Sequence, residues 1–147
     1  MTAMMLALGA TAEAKKTMVP KMYMFGIAAS FNDSIVYFTN VQEVDSAWIE
    51  SKNKFLLDRG NYSLQMKEFL ARKMQSPQRT CIVYYNTDRT KLEKKFIKIR
   101  QLYTQQKKKQ TSMFDVRYLE DGEFRFKALD ASYYMDRPVE ETGQGGE

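Results

Sequence analysis

Met22-Tyr-Met-Phe-Gly-Ile-Ala-Ala-Ser-Phe31 is the stretch whose reading decides the fold. It is rich in strand-forming residues and apolar on both faces. Tyr23, Phe25, Ile27 and Ala29 fall on one side, and Met22, Met24 and Ala28 on the other. A strand of that kind is covered from both sides. Asn32-Asp33 then gives a turn signal, and Ile35 to Val41 reads as a second strand, so the two predict a hairpin.

Working outward, Tyr62, Met66, Phe69, Leu70 and Met74 follow helical spacing, and Pro77 ends that element. Arg79 to Tyr85 is a third strand, apolar on both faces and expected to be central. Leu92, Phe96, Ile99 and Tyr103 step by 4, 3 and 4, which makes one apolar stripe on a second helix. Asp88 can cap it, and Thr90-x-x-Glu93 offers a capping box. Val44 to Gly60 fits neither period and is expected to be a structured connection with one short helical turn.

Phe114, Val116 and Tyr118 make one apolar face, and Phe124, Phe126 and Ala128 another. A three-residue loop, Glu120-Asp121-Gly122, pairs Tyr118 with Phe124 and gives Gly122 the left-handed position. In that register Asp115 opposes Lys127, and Arg117 opposes Arg125. The expected order is β-β-α-β-α-β-β. The expected fold is α/β (α+β), a two-layer sandwich with a mixed five-stranded sheet and two helices on one face. Strand order does not follow from the sequence.

The chain has 147 residues, the length of one domain. It has no His, which removes the usual general base, metal ligand and neutral-pH switch. Its single Cys, Cys81, sits in an apolar run and reads as a buried thiol, and zinc needs more ligands than that. The glycines form no phosphate-binding loop, and no nucleophile elbow or calcium loop is present. No cofactor is implied. Asp33, Asp45, Asp58 and Asp88 lie in or near expected loops, but nothing pairs them for acid-base work. The net charge of +5 is uneven. Residues 15–129 carry 22 Lys and Arg against 12 acids, while residues 130–147 carry one Arg against five acids. From Asp136 to Glu147 that end lacks apolar residues to bury, and residues 130–147 are expected to be an acidic, disordered tail.

The front of the chain, residues 1–14, reads as a signal-peptide remnant. Met1 to Ala10 are apolar and small, and Ala12-Glu13-Ala14 has the A-x-A form that signal peptidase reads. A cut after Ala14 leaves Lys15 first and places the protein in the periplasm or outside the cell. No Lys or Arg precedes Met4, although signal peptides normally open with positive charge. The run is too short to span a bilayer, which takes about 20 apolar residues, and no other segment is membrane-spanning in character.

Three clusters invite a partner. Arg117 and Arg125, with Lys127 adjacent, form a candidate anion or acidic-partner site, unless Asp115 and Glu123 simply neutralise that face. Lys94 and Lys98, with Lys91, Lys95 and Arg100, line the polar side of the second helix, continued by Lys107 to Lys109. Such a row suits an anionic surface, or is a solvated helix face. The aromatics sit at core spacing and the RNA-recognition signature is absent, so nucleic acid is not expected. Asp33-Ser34-Ile35 and Asp45-Ser46-Ala47 match a short bacterial O-glycosylation triplet and make Ser34 and Ser46 candidate acceptors. Turn and capping roles explain both aspartates equally well.

From the A-x-A end through Tyr23-Met-Phe-Gly26 and Cys81-Ile-Val-Tyr-Tyr85 with its Lys-rich helix, the chain resembles small exported bacterial α/β proteins of unknown function. That resemblance implies location and domain extent, but no sites. Tyr84 to Tyr103 is also faintly similar to one half of SPOR-type peptidoglycan-binding domains, from which the opening hairpin departs. The reading that follows is a non-enzymatic, exported binding module with a protein or glycan/peptidoglycan partner. A small hydrolase with a carboxylate or Ser/Lys site, and a basic RNA-binding domain, are the alternatives from other classes.

Overall fold

A computed structural model of the chain describes residues 15–104 and 113–131. The order is β1 (Lys16–Ala29), β2 (Ile35–Thr39), β3 (Gln42–Glu50), α1 (Arg59–Lys73), β4 (Thr80–Asn86), α2 (Arg89–Thr104) and β5 (Asp115–Leu119). The five strands form one mixed sheet, accompanied by two helices, in an α+β fold.

β1 is the hub. It pairs antiparallel with β2 at Ile27–Ala29, with β3 between Lys16 and Met24, and with β4 between Tyr23 and Ala29. Tyr23 and Met24 have partners in both β3 and β4, and Ile27–Ala29 in both β2 and β4. A strand has two edges, so β2 and β3 share one edge of β1 and β4 takes the other. β5 extends the sheet beyond β2, in parallel. The register slips by one residue between Met24↔Gln42 and Ile27↔Phe38, so the β2–β3 arm bulges around Thr39–Val41. There Gly26 N–H donates to the Thr39 hydroxyl at 2.9 Å. A Cβ at Gly26 would lie 2.6 Å from Met66 Sδ and 3.0 Å from the Phe126 ring, so a larger residue there would have to push those side chains aside.

Both helices cross between parallel strands, since β3, β4 and β5 all run opposite to β1. α1 carries the chain from one side of β1 to the other, and α2 carries it back. Two crossovers of the same hand and opposite direction lie on opposite faces. Accordingly, Tyr62, Met66 and Leu70 of α1 pack with Met22, Met24 and Ala28. Leu92, Phe96 and Ile99 of α2 pack with Phe25, Ile27 and Phe38. The expected two layers with both helices on one face are therefore corrected to three layers. Strand order, which sets the crossover directions, was the missing piece.

The element order also changes, to β-β-β-α-β-α-β. Part of the stretch expected to be a connection, Val44 to Gly60, belongs to β3. Its period is hidden because the buried positions switch from Gln42 and Val44 to Ala47 and Ile49. The switch falls at Ser46, whose φ is 60° and which lies opposite Pro20, between the pairs Lys21↔Asp45 and Val19↔Ala47. The expected final hairpin is overturned too: β5 pairs with β2, and Phe124–Ala128 is not a strand.

The helices sit close to expectation. Asp88 caps α2, accepting from Lys91 N–H at 3.3 Å. Glu93 pairs with Arg89 at 2.9 Å rather than closing a box with Thr90. The packed body reaches Ala131, which is buried, and so passes the expected boundary at residue 129.

Candidate functional site

After β5 the chain turns at Glu120, whose carbonyl accepts from Glu123 and Phe124 N–H at 2.8 and 3.0 Å. An extended strap then runs antiparallel to α1 over the sheet. Phe124 and Phe126 point inward and are buried, while Glu123, Arg125 and Lys127 are exposed, the alternation of extended backbone.

Buried backbone groups need partners, and side-chain amides supply them here. Gln42 donates from Nε2 to the Phe124 carbonyl at 2.8 Å and accepts from Phe126 N–H at 2.9 Å. Gln65 does the same to both backbone groups of Lys127, each at 2.9 Å. The Tyr62 hydroxyl accepts from Leu129 N–H at 3.1 Å.

Between α1 and the strap lies a groove of about 380 Å³. Its floor is Phe69 and Phe124, with ring centroids 5.2 Å apart. Arg72, Lys73, Arg125 and Lys127 line it, with Glu68 and Glu123 alongside. Arg125 is engaged, donating to the Glu43 carbonyl at 2.9 Å and pairing with Asp121 at 3.5 Å. Arg72, Lys73 and Lys127 have no ion-pair partner among the described residues. Three uncommitted cations over an aromatic floor can hold a carboxylate or phosphate that carries an apolar neighbour.

The residues singled out from sequence do not converge. Arg125 and Lys127 line the groove. Arg117 does not oppose Arg125. It lies on β5 beside Tyr37 and pairs with Asp115 at 2.9 Å, so the expected arginine pair is corrected. Asp115 is likewise not opposite Lys127 but beside Ile35. Lys94 and Lys98 are exposed on α2, across the sheet. Ser34 and Ser46 are both exposed. Ala12, Ala14, Lys107 to Lys109 and the acidic end from residue 132 lie outside the described residues.

Sequence reading missed the anchors. Arg79 is buried at 3% exposure, donates to the Ile35 carbonyl at 2.8 Å and pairs with Asp33 at 2.6 Å. Ile35 N–H, and then Arg79, hold the Asp33 carboxyl below its ordinary value. Gln42 was marked only by lying two residues before Val44 in a strand that went unread, and Gln65 by no signal at all. Cys81 is buried, and burial pushes its thiol up to about 11, far from a reactive thiolate at neutral pH.

Among the described residues no group of three or more Cys, Asp and Glu gathers as a metal would need, and no helix is long and apolar enough to cross a membrane. No protein-family model, curated protein or solved structure matches the chain.

Proposed function

We propose that this protein is a non-enzymatic interaction module that works outside the cytoplasm and holds an anionic envelope partner in the groove between α1 and the strap. The observation that carries this reading is the set of three cations, Arg72, Lys73 and Lys127, left without carboxylate partners above Phe69 and Phe124. Peptidoglycan fits that chemistry, because its peptide stems present carboxylates next to small apolar side chains. Export rests on the A-x-A end of the first 14 residues. It predicts Lys15 as the first residue of protein recovered from fractionated cells.

Cosedimentation with purified peptidoglycan tests the groove. Arg72→Ser with Lys127→Ser is expected to weaken retention about tenfold, since each removes an exposed charge contact of about 0.7 kcal/mol. Lys94→Ser with Lys98→Ser is expected to leave it unchanged. Equal retention of all three proteins refutes the groove. Salt-sensitive binding of single-stranded RNA, lost on Lys94→Glu and Lys98→Glu, would instead assign the basic side of α2.

A further inference from the structure

Among the described residues, β4 ends the sheet on its side of β1 and no strand pairs with its outer edge. Gly26 N–H points toward the β2–β3 arm. Backbone direction alternates along a strand, so Tyr23, Phe25, Ile27 and Ala29 point toward β4. Their partners Asn86, Tyr84, Ile82 and Thr80 spend their N–H and C=O groups on β1. Cys81, Val83 and Tyr85 then direct theirs outward, where no described residue meets them.

Proteins normally guard such an edge with a charge, a proline or a bulge. Thr80-Cys-Ile-Val-Tyr-Tyr-Asn86 has no charged residue and no proline. The Ile82 side chain stands 48% exposed there. Cations flank the edge on both faces. Lys95 Nζ sits 5.0 Å from the centre of the Tyr84 ring on the α2 side. Lys67, exposed on α1, is near enough to Cys81 to act on it electrostatically.

We infer that the outer edge of β4 is a strand-addition site for an extended, acidic segment of a partner protein. The added strand bonds to the backbone of Cys81, Val83 and Tyr85, covers Ile82 and places carboxylates against Lys67 and Lys95. Strand addition takes affinity from main-chain bonds and selectivity from alternate side chains. Charge decides between occupants. A second copy pairing antiparallel about Val83 would bring Lys95 toward its own equivalent. The chain's own acidic end has Pro138 between Asp136 and Glu140, which breaks the run of donors a strand needs. This site lies across α1 from the groove and does not depend on it.

The probe is a blocked, fluorescent heptapeptide, Glu-Glu-Val-Val-Glu-Glu-Val, whose order puts both Glu and Val on each face of a strand, read by anisotropy and by amide exchange of the full chain. It is expected to bind in a salt-sensitive way and to slow exchange of Cys81, Val83 and Tyr85 amides. Ile82→Glu with Lys95→Glu is expected to weaken it about tenfold, both positions being exposed enough to leave the fold intact. A Lys/Val peptide, and a Glu/Val peptide N-methylated along one edge, are expected not to bind. Equal binding of the N-methylated peptide, or no change at the three amides, overturns the inference. So does protection of those amides without peptide, whether in the monomer, through the chain's own end, or in a concentration-dependent dimer.

Discussion

On the α2 face one helix closes the sheet with rings. Phe96 meets Phe25 and Phe38 edge-on, with centroids 5.1 and 5.9 Å away, and Tyr84 stacks on Phe25 at 5.1 Å. On the α1 face the helix covers one part, and the strap covers another with Phe124 and Phe126. Among the described residues the strap pairs with no strand, and glutamine amides with the Tyr62 hydroxyl meet backbone groups of Phe124, Phe126, Lys127 and Leu129 instead. The difference teaches that a helix arrives with its hydrogen bonds made and adds only apolar surface. Extended chain must have its donors and acceptors met by something else.

The two faces should therefore fail differently. Phe25→Ala removes the ring that Tyr84 and Phe96 both pack against, and should cost about 3–5 kcal/mol in urea unfolding. Gln42→Leu keeps the volume but orphans Phe126 N–H and the Phe124 carbonyl. It should cost about 2–4 kcal/mol, and the Phe126 amide should exchange faster. If Gln42→Leu costs under about 1 kcal/mol, the strap is held by its phenylalanines alone and the contrast dissolves. The smallest effect is expected at acid pH, at the turn joining β1 to β2. Asp33 is lowered in the folded state, chiefly by Ile35 N–H and then by Arg79. Its contribution is thus present above the ordinary aspartate value of 3.8 and lost as pH falls through the lowered one. Asp33→Asn should flatten that part of the stability–pH curve, and an unchanged curve would show that the carboxylate adds nothing there.

The mixed sheet, both helices and the doubly covered strand at Met22 were legible because their side chains keep one period, and α2 also because Asp88 caps it locally. β3 was not, because Ser46 and Pro20 invert the phase of burial halfway along it. The last hairpin misled for a subtler reason. Phe124 and Phe126 do alternate as in a strand, but alternation reports extended backbone and two-sidedness, and says nothing of what meets the hydrogen bonds. Of the candidate site, Arg125 and Lys127 were visible as charges on such a segment. Arg72 and Lys73 were passed over because they close an ordinary amphipathic helix, and only the strap brings them near Lys127.

On the strap, Gln42 and Gln65 grip main chain alone, so the outward side chains at Glu123, Arg125 and Lys127 are free of any holding duty that rests on those two amides. The segment behaves as a mounting rail. Those two clips are indifferent to what is displayed, while Arg125 adds a side-chain fastening to the Glu43 carbonyl, so of the three it is Lys127 whose chemistry can drift, or be engineered, while the rail stays clipped in place.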